Sequence, residues 1–381
     1  MKFIKKFFSL LNFYLLISGI KIFFYTLTKN FSKYPNYVKL FEKRVAKTFG
    51  FEFAICFSSG TSACFSAIQS LGVNRDSYVY LSKLSFPSTV INVLRAGLNP
   101  IYIDFDNNLE PILQESKIEQ AYPDVFIISQ LYGIPNSQNV LEKLLKVNKN
   151  LKVISDCSHA HGAKIKSNLL NDVESISFMS LQGKKAISGG EGGVCLTNSK
   201  KLYSNLIRLS HPSLVIEENY DNFPGVAFSG KARVHPFATL IAEAYLKDLS
   251  NHNNKIRKKF QLIYSILTNI YEAQLPNISN INNTGGYHYG LPFFYKGNKD
   301  ILKFNFLKKF NYPKYELYAA LNSHAEYQKL LQQCEYKKIF SLTHQNEKLS
   351  NDLRDKLFFV DLDWIKTSSF SEIKKNLTNI F

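Results

Sequence analysis

Cysteine is scarce and unpatterned. The five, at positions 56, 64, 157, 195 and 334 of 381, have neither paired nor metal-type spacing. That argues against a disulfide-stapled scaffold and a cysteine-built zinc site, and makes a reducing compartment the simplest setting. Long apolar runs are missing too. The run from Phe7 to Ile20 is too short to span a bilayer comfortably, and Lys21 interrupts it before Ile22 to Leu27 resumes. No small-x-small cleavage site follows, which argues against a secretory signal. No internal repeat and no RNA- or DNA-binding motif is visible. Carboxylates are outnumbered: 30 Asp and Glu against 47 Lys and Arg leave a net charge of +17. The excess suits an anionic ligand or an acidic membrane surface. It is equally what a coding sequence low in G and C produces, since Lys, Asn, Ile, Phe and Tyr are all abundant.

The chain is long enough for two domains and a large core. From residue 36 to about 245, short apolar runs alternate with helical stretches. Phe53–Phe57, Val79–Leu81, Pro100–Asp104, Val125–Ser129 and Val153–Ser155 read as buried strands. This predicts an α/β domain with a mostly parallel sheet. A helix from about Pro236 to Ile270 leads into a smaller C-terminal α+β domain, with a polar loop over Asn277–Gly286. The expected division is an arm over 1–35, a large domain over 36–245, and a helix with a small domain over 246–381.

The most informative stretch is Ser180-Leu-Gln-Gly-Lys-Lys185-Ala-Ile-Ser-Gly-Gly-Glu-Gly-Gly193. A hydroxyl that can hold phosphate stands five residues before an amine that can form a Schiff base with an aldehyde. Glycines follow, which let backbone approach a bound ring closely. Together they suggest pyridoxal phosphate (PLP), which also needs an acid at its pyridine nitrogen and a phosphate cup. Leu151 to Asp156 reads as a buried strand ending on that acid, where open α/β sheets bind ligands. An isolated Asp there caps the next turn at least as readily. Upstream, Ser58-Ser59-Gly60-Thr61-Ser62 lies between a strand and a helix over 63–71. That arrangement aims free N–H groups at an anion, and it also makes an ordinary N-cap.

Order and spacing link the three motifs: the turn first, then Asp156, then Lys185 29 residues later. The chain resembles the DegT/StrS family of PLP-dependent sugar aminotransferases, which have the aspartate-aminotransferase type I fold. The likeness rests on Ser59–Ala63, Ser85-Phe86, Leu131-Tyr-Gly133, Asp156–Gly162, Ser180–Gly193 and Gly230-Lys-Ala-Arg233. It is close over about 38–250, loose in the last third and absent from the first 35 residues.

The resemblance implies roles. Lys185 would carry the cofactor and move a proton; the family register selects it over the neighbouring Lys184. Ser180 and the backbone of Gly60, Thr61 and Ser62 would hold the phosphate. Phe86 would stack on the pyridine ring and His159 would stand beside the ring hydroxyl, although without the resemblance core packing and a satisfied turn histidine explain them. Near Arg233 the family carries Gly-x-Asn-x-Arg, whose Asn reaches the phosphate of the neighbouring subunit; here Lys231 stands in the Asn position and can hold phosphate as a point charge. The resemblance implies a cytoplasmic homodimer. An amino acid, expected to be glutamate, would donate nitrogen to a nucleotide-linked keto-sugar in amino-sugar and surface polysaccharide biosynthesis. Other PLP chemistry on the fold, or a non-catalytic membrane-associated relative, are the alternatives. Dehydratases that resemble this family carry histidine in place of the lysine, and Lys185 counts against that reading. No recognisable sugar-site loop precedes Phe41-Glu42.

The N-terminus is the second unusual feature. Met1-Lys-Phe-Ile-Lys-Lys6 is basic and leads into the apolar run. An interfacial helix with snorkelling lysines at the inner face of a membrane fits this pattern. So does an arm that packs on the catalytic domain or on a dimer mate.

Overall fold

The computed structural model describes residues 13–28, 34–113, 118–119, 121–135, 139–163, 175–210, 230–269, 273–276, 281–288, 290–296 and 357–378. The basic start Met1–Lys6 and Asn277–Asn280 of the expected polar loop lie outside them. The chain divides into two compact units, 1–71 with 176–252 and 72–175 with 253–381.

In chain order the helices are α1 Phe13–Thr28, α2 Tyr34–Phe49, α3 Gly60–Ser70, α4 Pro87–Arg95, α5 Asn139–Val147, α6 Lys200–Ser210, α7 Pro236–Leu267, α8 Leu362–Thr367 and α9 Phe370–Thr378. The strands are β1 Phe53–Phe57, β2 Tyr78–Ser82, β3 Asn99–Phe105, β4 Pro111–Ile112, β5 Pro123–Ser129, β6 Lys152–Asp156, β7 Ser175–Ser180, β8 Gly193–Thr197, β9 Ala273–Gln274, β10 Gly290–Tyr295 and β11 Leu357–Asp361.

In the second unit the strand order is β6-β5-β2-β3-β4. The β6–β5, β5–β2 and β2–β3 pairs are parallel, and β4 folds back antiparallel on β3. Parallel neighbours need a crossover, and α4 and α5 supply it between β2 and β3 and between β5 and β6. These strands are apolar on both faces because helices cover them. Tyr80, Ile101, Ile103, Phe126 and Val153 form one core with Val140, Leu141 and Leu144 of α5. Truncating Phe126 to Ala there costs about 3–5 kcal/mol.

In the first unit β8 lies between β1 and β7 and is antiparallel to both. The expected parallel pattern gives way here because the segment from β7 to β8 contains no helix, so the chain returns without a crossover. Gly193 is opposite both Phe57 and Ser180, which brings the ends of β1 and β7 level. Helices α3 and α6 pack on β1 and β8.

The C-terminal α+β part has the antiparallel order β11-β10-β9. Ile256, Phe260, Ile263 and Leu267, at helical spacing in α7, form a core with Leu291 and Phe293 of β10, Ile365 of α8 and Ile373 and Leu377 of α9.

At the N-terminus, α1 packs on α7. Ser18 Oγ donates to the Leu240 carbonyl at 3.0 Å, and Lys247 Nζ stands 5.7 Å from the Tyr14 ring centroid. Arg44 of α2 pairs with Glu243 of α7. The packing expectation therefore holds for one face of the arm. Among the described residues no helix is long and apolar enough to cross a membrane.

Candidate cofactor site

The first unit holds the residues expected to bind phosphate. Ser59 caps α3: its Oγ accepts the Ser62 N–H at 3.0 Å and lies 2.9 Å from Ser62 Oγ. The N-cap reading is thus realised, and the Ser62 N–H is engaged within the turn. Gly60 stands directly against Ser180. A Cβ on Gly60 would lie 2.6 Å from Ser180 Cβ and 3.0 Å from its Oγ, so only glycine lets the Ser180 hydroxyl sit over the first turn of α3. A Cβ on Gly193 would lie 2.3 Å from the Ser59 carbonyl oxygen. This glycine makes room for the turn's own backbone, whereas the sequence suggested that the run made room for a ring. The Ser58 N–H donates to the Ala232 carbonyl at 2.7 Å, tying the Lys231–Arg233 segment to the same turn. Lys231 is exposed and held at φ +46, a left-handed conformation uncommon for a residue with a side chain.

Lys185 lies on a loop that closes on itself. Gln182 bridges Gly190, the Leu181 carbonyl accepts from Gly189 N, and the Lys185 N–H donates to the Gln182 carbonyl at 2.9 Å. Lys185 is half-buried and Lys184 is exposed.

The second unit holds a separate group. Asp156 ends β6, buried at 8% exposure, and its Oδ1 accepts the Ser158 N–H at 2.9 Å. The turn-cap reading is therefore also realised, through one of the two carboxylate oxygens. Phe86 occupies the N-cap position of α4 and is 44% exposed, so it is not the core residue that composition alone suggests. Ser85 Oγ lies 3.1 Å from Ser129 Oγ beneath it. His159 is buried, its ring centroid 4.6 Å from that of His288 and 5.6 Å from that of Tyr132.

Sequence reasoning missed His288 and gave Tyr132 no role beyond the Leu131–Gly133 motif. The segment 284–288 folds onto the Asp156 loop: Asn253 Nδ2 donates to the His161 carbonyl, and its Oδ1 accepts the Gly286 N–H. Gly286 has φ +79, and a Cβ there would lie 2.4 Å from His161 N. Gly285-Gly286 was the available signal: a glycine pair just before His288. Burial pushes the Tyr287 hydroxyl up, against the opposing hydrogen bond from Thr284 and the charge of Arg257. Among the described residues no cluster of His, Cys, Asp or Glu is placed to hold a metal ion.

The model of the DegT/DnrJ/EryC1/StrS aminotransferase family matches residues 25–348. The chain belongs to this family. Its α/β fold, with a large mixed sheet and a smaller C-terminal α+β part, is the PLP type I transferase fold. It is similar to GDP-perosamine synthase of Escherichia coli O157:H7, 31% identical over 49% of this chain and 51% of that protein. The chain spans about half the length of the curated relatives it matches. Among solved structures, an aminotransferase from Psychrobacter cryohalolentis superposes with a TM-score of 0.75 at 18% identity, over 96% of this chain and 95% of that one. An E. coli GDP-4-keto-6-deoxy-D-mannose-3-dehydratase with bound hydrated PLP gives 0.69 at 17%, over 91% and 92%. At these identities the structures establish the fold.

Pyridoxal phosphate is the cofactor of this DegT/StrS chain. The geometry around Gly60 and Ser180 fits it. The gap that a Cβ on Gly60 would fill brings a hydroxyl onto a helix N-terminus, where backbone donors and the helix dipole favour a phosphate.

Proposed function

We propose that this chain is a PLP-dependent aminotransferase that moves an amino group from an amino acid, glutamate, to a nucleotide-linked keto-sugar for amino-sugar and surface polysaccharide biosynthesis. It would act as a homodimer in the cytoplasm. The observation that carries the reading is the approach of Gly60 to Ser180, with half-buried Lys185 five residues further on. Bound PLP supplies an aldehyde for the exchange of amines and an electron-withdrawing ring that acidifies the substrate α-proton.

In this proposal each residue takes the role that the resemblance implies, with Lys231 in place of the family's Asn. The Lys185 amine takes and returns the α-proton, a task suited to a lysine whose charge is readily lowered by its surroundings. Ser180 with the N-terminus of α3 fixes the phosphate, and Lys231 adds a positive charge. Asp156 keeps the ring nitrogen protonated. Phe86 covers a ring face, and His159 stands at the ring hydroxyl. The absorbance spectrum of the purified protein with PLP, before and after glutamate, tests this. A visible band that collapses on adding glutamate is expected. Lys185→Ala should leave no borohydride-reducible adduct while Lys184→Ala retains it; the reverse pattern would move the role to Lys184. A band indifferent to glutamate would refute the donor assignment, and no band would leave the non-catalytic alternative.

A further inference from the structure

Helix α1 has two faces of different character. One meets α7 through Ser18 and Tyr14. The other turns Phe13, Leu16, Ile20, Phe23 and Phe24 to solvent, between 48% and 66% exposed. Their spacings of i, i+3, i+7, i+10 and i+11 place them within an arc of roughly 100° at the helical repeat. The family match begins at residue 25, so the stripe precedes the matched region.

Charge identifies the occupant. Up to Phe41 the sequence carries lysines at 2, 5, 6, 21, 29, 33 and 39 and no Asp or Glu. A second copy of the same arm would set these like charges against one another. An anionic lipid surface neutralises them while phenylalanines enter the boundary between headgroups and acyl chains. The 16 residues of α1 extend about 24 Å, short of the hydrocarbon thickness, so the helix lies in the plane of the surface. We propose that α1 docks the protein on an anionic lipid bilayer through Phe13, Leu16, Ile20, Phe23 and Phe24. This does not depend on the aminotransferase reading.

Co-sedimentation of the full-length protein with phosphatidylcholine vesicles, with and without phosphatidylglycerol, tests it. Binding is expected to the anionic vesicles and to weaken with salt. The triple substitution Phe13→Ser, Phe23→Ser, Phe24→Ser should lower the partition coefficient by about tenfold or more, since each buried phenylalanine contributes strongly. It should leave the thermal unfolding curve in place because these side chains are exposed. Lys21→Glu should lower binding to anionic vesicles several-fold. A Phe24→Trp variant should show a blue-shifted emission on anionic vesicles. Wild-type protein that ignores anionic vesicles overturns the proposal, as does a triple variant that binds as well as wild type. A triple variant that turns a dimer into a monomer, beside wild type that ignores vesicles, assigns the stripe to a second copy.

Discussion

Ser180 reaches the first turn of α3 because glycines leave room for backbone to meet backbone. His159 is held differently, by Tyr132 and His288 crowding its ring from distant segments. The Gly60–Ser180 region is built from main chain and serine hydroxyls, and its parts lie inside two short motifs. The Asp156–His159 region is built from side chains recruited across more than a hundred residues of sequence. Backbone sites tolerate almost no added atoms but demand little of side-chain chemistry. Side-chain sites tolerate changes of shape and depend on charge and ring contact.

The contrast can be broken most severely at Gly193. Gly193→Ala puts a methyl group against the Ser59 carbonyl, which is backbone and cannot swing away. A loss of about 2–3 kcal/mol in stability is expected, together with weakened PLP affinity, read by urea unfolding and by PLP titration. Asp156→Asn comes next and acts by chemistry alone. The amide oxygen can still accept the Ser158 N–H, so unfolding should be unchanged while kcat falls about 10²-fold or more with loss of the charge proposed for the ring nitrogen. A fall in Tm with unchanged kcat would reduce Asp156 to a turn cap. A smaller effect, roughly a few-fold in kcat, is expected for His288→Ala through a loosened His159, with His288→Phe restoring much of it because ring contact is retained.

The smallest effect concerns thiols. Cys56 and Cys195 are buried, and burial is the first cause pushing both well above the ordinary 9.0, with Glu42 adding to it at Cys56. Folded-state values above the unfolded ones mean that the thiols contribute full stability below pH about 9, lost progressively at higher pH as the unfolded chain ionises first. Cys56→Ala should therefore flatten the alkaline end of the stability curve. Cys56, Cys64, Cys157 and Cys195, all buried, should resist alkylation until the protein unfolds, as peptide mapping would show.

Much of the fold could be read directly from the sequence. Phe53–Phe57 is β1 to the residue, and the apolar runs at 79–81, 125–129 and 153–155 lie within β2, β5 and β6, because buried strands in an α/β sheet are continuous apolar segments. The antiparallel strands of the first unit were not legible, since strand direction depends on what the connections can cross. Local motifs pointed to candidate residues, yet not to how each is held. The hydrogen bond that Asp156 accepts from the Ser158 N–H is one such detail.

The order of residues along the chain sets the chemistry on offer: a hydroxyl and an amine five apart, an acid at a strand end, a glycine-opened helix start, and a lysine-rich arm without carboxylates. These are local, because spacing and side-chain type are written in order along the chain. Long-range packing settles which glycine meets which backbone, that His288 and Tyr132 flank His159, and that one face of α1 is covered by α7 while the other faces solvent. Those outcomes depend on contacts between residues far apart in sequence, and packing sets them only once strands and helices have taken their places.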